Sequence, residues 1–129
     1  MKVRCPQAIV IDKVMIEDYR LLFRGSDGYA YLTIEKQQGF KVPAVIWQVT
    51  DLDIINLDHY EGYPNFYRKE IMTFEIDGKK IDVFVYIMND GHKLAIPSNY
   101  YYQVCLEGYK SFGFDENYLR EAYKYGRLK

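Results

Sequence analysis

Val45-Ile46-Trp47-Gln48-Val49-Thr50-Asp51-Leu52-Asp53-Ile54-Ile55-Asn56-Leu57-Asp58-His59-Tyr60-Glu61-Gly62 carries the chain out of a strand, through a helix and to that helix's end. Residues 42–49 are apolar on both alternating faces, which predicts a strand covered on both sides. Thr50 follows as a helix cap, and Asp53 sits three positions on, an Asp version of the capping box. Leu52, Ile54, Ile55, Leu57 and Tyr60 supply a broad apolar stripe at helical spacing. Gly62 and Pro64 then stop the helix, because glycine accepts a left-handed backbone and proline cannot continue the ladder.

Outward from this stretch, the elements alternate in type. On the C-terminal side, Phe66 to Ile76 and Lys80 to Met88 bracket Asp77-Gly78-Lys79, a hairpin signal. Asn89-Asp90-Gly91 ends the second arm. Ser98 follows Pro97 and predicts the cap of a helix reaching Gly108 or Phe112. Asp115 predicts the cap of a last helix that reaches Tyr125 and stops at Gly126. On the N-terminal side, Ala8 to Phe23 favours β structure through Val10, Val14, Ile16, Tyr19, Leu21 and Phe23. Residues 24–28 read as a turn, Tyr29 to Ile34 as a second strand, and Gln37-Gln38-Gly39 as a turn or loop. No repeat or Pro/Ser-rich linker interrupts the chain. The expectation is one α+β domain over residues 1–129: a small mixed, mostly antiparallel β-barrel with flanking helices.

Composition narrows the function classes. A chain of 129 residues buries roughly two-thirds of its unfolded surface, so it needs no metal or disulfide to fold. Seventeen basic against eighteen acidic side chains give a net charge of -1, which lacks the cationic surplus of a nucleic-acid binder. Hydrophobic content of 49% excludes a disordered chain. No stretch approaches the ~18 apolar residues of a membrane helix, and no secretory signal follows Met1. Cys5 and Cys105 are too few for a disulfide framework, which suits reduced thiols in the cytoplasm. The 14 tyrosines are the compositional oddity, each an apolar body with a polar tip suited to a sheet face or a pocket wall.

Reactive groups concentrate between Leu57 and Tyr67. Asp58 and Glu61 are three apart and share a helix face. Both lie near the helix C-terminus, where outward-pointing carbonyls disfavour a carboxylate and raise its pKa. Walls of Tyr60, Tyr63, Phe66 and Tyr67 would push the same way by desolvation, making a general base. The competing reading is a pair of solvated acids at a helix end. His59 and His92 stand far apart and no HxxxH or CxxC spacing occurs, so no metal site is expected. Asp90, His92 and Ser98 lack the strand-turn-helix context of a hydrolase triad, and Ser98 reads as a cap. Cys105, between Val104 and Leu106, reads as a core thiol. The basic-aromatic tail from Tyr123 to Lys129 reads as a helix end whose cations suit the dipole.

Taken in order, Arg4-Cys5-Pro6, Tyr19-Arg20-Leu21-Leu22-Phe23-Arg24-Gly25, Val45 to Val49, Leu57-Asp58-His59-Tyr60-Glu61-Gly62, Tyr67, Pro97-Ser98, Tyr101 and Leu106-Glu107-Gly108 resemble the gamma-glutamylcyclotransferase-like family. The resemblance implies a small mixed barrel with a central cavity and no cofactor. It implies release of 5-oxoproline and a free amine from a γ-glutamyl amino acid or amine. On this resemblance Glu61 is the general acid/base, and Tyr67 and Tyr101 line the substrate cavity, with Tyr100 and Tyr102 flanking the latter. Members of the family open with a strand and a Tyr-Gly-Ser-Asn loop whose backbone amides bind substrate oxygens. That motif is missing from these 129 residues. The resemblance therefore implies a domain without the family's first strand and loop, through a displaced start or a shortened member. A strand edge left bare in this way invites pairing with a second copy, hence a possible homodimer. Two functions follow: a cytoplasmic enzyme acting on small γ-glutamyl substrates, with no nucleic-acid or membrane partner, or a non-catalytic member that binds a small ligand or another protein.

Overall fold

A computed structural model describes residues 7–128. Arg4, Cys5 and Pro6, part of the family resemblance, lie outside the described residues. In chain order the elements are β1 (Ile9–Gly25), β2 (Tyr31–Gln48), α1 (Asp51–Glu61), β3 (Tyr67–Ile76), β4 (Lys79–Met88), β5 (Lys93–Leu94), α2 (Asn99–Phe112) and α3 (Asn117–Arg127). The class is α+β with antiparallel pairing, as expected. Among the described residues the strands form two sheets, ordered β2-β1-β5 and β3-β4, and no single sheet closes on itself. The packing divides the chain into two compact units. One takes the chain up to Met15 together with Ala44–Asn89, the other Ile16–Pro43 together with the chain from Asp90 onward.

The first unit holds the helix-and-hairpin stretch. Thr50 and Asp53 form the full capping box: the Thr50 hydroxyl accepts from the Asp53 N–H at 3.1 Å, and Asp53 Oδ2 accepts from the Thr50 N–H at 3.0 Å. These bonds let Asp53, only 4% exposed, stay buried without an unmet charge. β3 and β4 pair from Tyr67↔Met88 to Ile76↔Lys79, so the turn is the two residues Asp77 and Gly78. Both take positive φ, 51° and 78°, the type I′ geometry whose twist matches the flanking strands. Lys79 is already strand, one residue earlier than the sequence predicts. The core here packs Ala8 and Leu57 against Trp47, Val49 and Tyr86.

The second unit is built on residues 16–25 of β1, residues 31–43 of β2, β5, α2 and α3. Phe23 and Leu119 are its fully buried large side chains. The expected turn or loop at Gln37-Gln38-Gly39 does not form, and β2 runs through it. Gly39 takes φ 88° within the strand, and its N–H donates to Asp18 Oδ1 at 3.1 Å. The positive φ is thus accommodated inside a continuing strand rather than used for a chain reversal.

Ser98 caps α2 as expected, accepting from the Tyr101 N–H, and Gly113 ends it in the left-handed region at φ 70°. Gly108 therefore lies inside the helix. The start of α3 differs in detail. Glu116 occupies the cap without a side-chain bond, while Asp115 Oδ1 accepts from the Asn117 N–H at 2.9 Å. Gly126 does not stop α3, which runs on to Arg127. It lies on the buried stripe with Leu119 and Ala122, and an added Cβ there would sit 2.4 Å from the Ala95 carbonyl oxygen. The glycine is needed for close approach of a helix backbone to its neighbour, not for chain termination.

Candidate functional site

Glu61 is the last residue of α1 and is half-buried. The chain beyond it is tightly tied. Gly62, at φ 68°, donates to the His59 carbonyl at 3.3 Å, and the Tyr63 N–H donates to the Asp58 carbonyl at 2.9 Å. Together these form a Schellman motif, which satisfies carbonyls that a helix end otherwise leaves open. The Phe66 N–H returns to the Gly62 carbonyl at 2.8 Å. Asn89, just past β4, holds the same loop from the far side. Its Nδ2 donates to the Pro64 and Asn65 carbonyls at 2.8 and 2.9 Å, and its N–H to the Phe66 carbonyl at 3.0 Å. The path from Glu61 to Tyr67 is thus fixed by six hydrogen bonds rather than left as a free loop.

Tyr67 opens β3 and is buried, with the Phe66 ring edge-on at 5.0 Å. It belongs to the same unit as Glu61. Tyr101 belongs to the other unit, on the first turn of α2. Its hydroxyl oxygen accepts from the Leu32 N–H at 3.2 Å, and its ring meets Tyr31 edge-on at 5.0 Å and Phe23 at 6.4 Å. Its neighbours differ from it. Tyr100 is 80% exposed, while Tyr102 packs on Phe23 and Tyr123.

Asp58, one turn before the end of α1, is ion-paired. Lys69 Nζ lies 2.8 Å from Asp58 Oδ1 and 3.0 Å from Oδ2, and the Tyr86 hydroxyl donates to Oδ1 at 2.5 Å. Burial pushes the Asp58 carboxyl up, but the hydrogen bonds from Lys69 and Tyr86 and the lysine charge outweigh it. The net pKa lies below the ordinary aspartate value. The helix-end argument predicts a raised value for Asp58, and the salt bridge reverses it. Lys69 is itself walled by aromatic rings, 4.4 Å from the Tyr63 centroid and 5.0 Å from that of Phe84. Such cation–π contact keeps the ammonium in place beside its carboxylate.

Lys69, Tyr86 and Asn89 are absent from the sequence-derived site. The hairpin turn contained the signal for the first two. Counting outward from Asp77-Gly78 places Lys69 directly opposite Tyr86. Nothing local in the sequence points Asn89 back onto the 64–66 backbone.

One further sequence-derived reading, the core thiol Cys105, has a structural counterpart. Cys105 carries a free thiol, and burial, partly offset by a hydrogen bond involving Tyr101, pushes it up to about 11. Such a thiol stays protonated at neutral pH and is a poor nucleophile. Among the described residues no group of three or more His, Cys, Asp or Glu side chains is placed to hold a metal ion, and no helix is long and apolar enough to cross a membrane.

Comparison with known proteins bears on the whole arrangement. A family model described as gamma-glutamyl cyclotransferase, AIG2-like, matches residues 1–103. A crystal structure of an uncharacterized protein from Homo sapiens is similar at a TM-score of 0.78 and 24% identity, covering 94% of this chain and 76% of that one. A structure described as gamma-glutamyl cyclotransferase is similar at a TM-score of 0.78 and 23% identity, with the same coverages. At these identities the structural likeness speaks for the fold. No curated protein sequence matches the chain.

Proposed function

The chain belongs to the gamma-glutamyl cyclotransferase, AIG2-like family, and from that premise we propose that it cyclises the γ-glutamyl group of a γ-glutamyl amino acid or amine to 5-oxoproline, with Glu61 as general acid/base. The substrate's α-amine nitrogen attacks its own γ-carbonyl carbon. A new C–N bond closes the five-membered ring, and the original amide C–N bond breaks. Attack is intramolecular, so the binding site's task is to hold the folded conformer. The α-ammonium must lose a proton before attack, and the departing amine nitrogen must gain one. One carboxylate can take the first and return it to the second, with no net change in the enzyme. Tyr67 and Tyr101 are proposed as substrate-binding residues, and the reaction calls for no cofactor. The same reading makes the protein a cytoplasmic enzyme of small-molecule metabolism.

The observation that carries this reading is the commitment of Asp58 to an ion pair. Asp58 is held as an anion by Lys69 and Tyr86, which unfits it to accept and release a proton near neutrality. Of the two acids on that face, the shuttle role falls to Glu61, half-buried at the helix end beside a loop tied from both sides. The alternative reading is that the protein binds a γ-glutamyl compound or another small anion and does not turn it over.

One experiment separates them. Release of 5-oxoproline is followed from a panel of γ-glutamyl dipeptides and γ-glutamyl amines, with binding of each measured in parallel. On the enzyme reading at least one is turned over, and Glu61→Gln lowers kcat by about 10²–10⁴ while folding and binding persist. Turnover untouched by Glu61→Gln removes that residue from the chemistry. Saturable binding without turnover of any panel member establishes the alternative reading.

A further inference from the structure

The second unit contains a cleft of about 370 Å³ between residues 20–21 and 39–41 of the long strands and the first two turns of α3. That volume falls at the low end of the roughly 300–1,000 Å³ typical of small-molecule sites. Its helical wall comes from Asp115 to Ala122, outside the residues 1–103 matched by the family. None of Glu61, Tyr67 and Tyr101 lines the cleft.

Its charges are unequally committed. Arg20 lies with its guanidinium carbon 3.8 Å from the Tyr125 ring centroid and 4.6 Å from that of Phe40. Cation–π contact of this kind holds the guanidinium without consuming its N–H donors in hydrogen bonds. Among the described residues the Arg20 side chain enters no hydrogen bond or ion pair, and neither does that of Lys41 on the same wall. The acids opposite are already engaged. Asp115 Oδ1 accepts from the Asn117 N–H at 2.9 Å, and Glu121 lies 3.7 Å from Lys124. What the cleft offers a ligand is thus a fixed guanidinium fork and an ammonium. Leu21, Phe40, Tyr118 and Ala122 give it apolar walls.

We propose that this cleft is a binding site for a small organic monocarboxylate with an apolar body, its carboxylate held by Arg20 and Lys41. The planar fork of an arginine matches a carboxylate through two parallel hydrogen bonds, and two ring contacts hold that fork in place before the ligand arrives. Asp115 and Glu121 set the limit on charge. Two carboxylates on the facing wall repel a ligand with a second negative group, which excludes nucleotides and other polyanions. Arg20 and Lys41 exclude cations in the same way. The aliphatic and aromatic walls favour a hydrocarbon body over a sugar.

The probe is 3-phenylpropionate, titrated into the full chain and followed by amide chemical shifts, with 3-phenylpropanol, 2-phenylethylamine, inorganic phosphate and phenylalanine as comparison ligands. Saturable binding of 3-phenylpropionate is expected, with shifts at residues 20–21, 39–41 and 115–122. Arg20→Gln is expected to weaken it at least tenfold, equivalent to about 1.4 kcal/mol. Lys41→Gln, an exposed substitution outside any core, is expected to weaken it with the thermal unfolding curve unchanged, so the test survives if Arg20→Gln does not fold. Arg20→Lys keeps the charge and loses the fork, and is expected to bind between the two. Failure of 3-phenylpropionate to saturate overturns the proposal. So does equal affinity for the alcohol or amine, stronger binding of phosphate or phenylalanine, shifts that map elsewhere, or affinity indifferent to Lys41→Gln.

Discussion

Asp58 shows how far one side chain's environment can override its position in a helix. At the C-terminal turn of α1 the backbone carbonyls alone favour its protonated form. Lys69 and Tyr86 come from a different element and reverse that preference. The sign of the consequence follows from the shift. A carboxyl whose folded pKa lies below its unfolded value contributes stability that is fully present above the unfolded value near 3.8 and is lost as pH falls through the folded one. We therefore expect Lys69→Gln to raise the Asp58 titration midpoint more than Tyr86→Phe does, because the lysine supplies both a hydrogen bond and a charge, the tyrosine only a hydrogen bond. Carboxyl-carbon NMR titration of Asp58 in the two variants checks the order; a midpoint that moves more in Tyr86→Phe contradicts it. From sequence, Asp58 and Glu61 looked alike because helix position and nearby tyrosines were the same for both. What the sequence could not show is that a lysine eleven residues further on reaches Asp58.

At the scale of elements, the two glycines inside helices make a controlled comparison. Gly108 lies in α2 at an exposed position, and a Cβ there would meet nothing within 4 Å. Gly126 lies in α3, and a Cβ there would meet the Ala95 carbonyl at 2.4 Å. Gly108→Ala is expected to raise stability by about 0.5–1 kcal/mol, since alanine loses less backbone freedom on folding. Gly126→Ala is expected to lower it, because backbone on both sides of the contact must move apart. Urea unfolding of the two variants against the parent protein decides it; the same sign in both would mean that propensity rather than packing governs these positions. The contrast also explains what the sequence could tell about helix ends. Thr50, Ser98 and Gly62 act within a few residues of themselves, and each does what local chemistry predicts. Gly126 and Gly39 follow the same composition rules for stopping an element and do not stop it. One serves a backbone contact with a distant segment, the other holds a positive φ within a strand that continues.

For the molecule as a whole, seventeen cations nearly balance eighteen anions, and the isoelectric point is about 6.1. Near that pH the net repulsion between copies is smallest. Solubility at low salt is therefore expected to be lowest close to pH 6 and to recover by about pH 8, where added negative charge keeps copies apart; light scattering across this range checks it, and a flat profile would show that specific contacts govern association. By itself the sequence determined the α+β class, the capped helix α1, the β3–β4 hairpin, the capped start of α2 and the family resemblance. All of these rest on neighbours a few residues apart or on the order of motifs along the chain. Only the tertiary structure decided that the strands lie in two sheets, that Asp58 is held as an anion, that Asn89 ties the loop after Glu61, and that Arg20 and Lys41 face a cleft walled by α3. Each of these depends on which distant segment arrives beside which side chain. Periodicity and capping are blind to that, because they describe how a chain satisfies its own backbone and not what it is packed against.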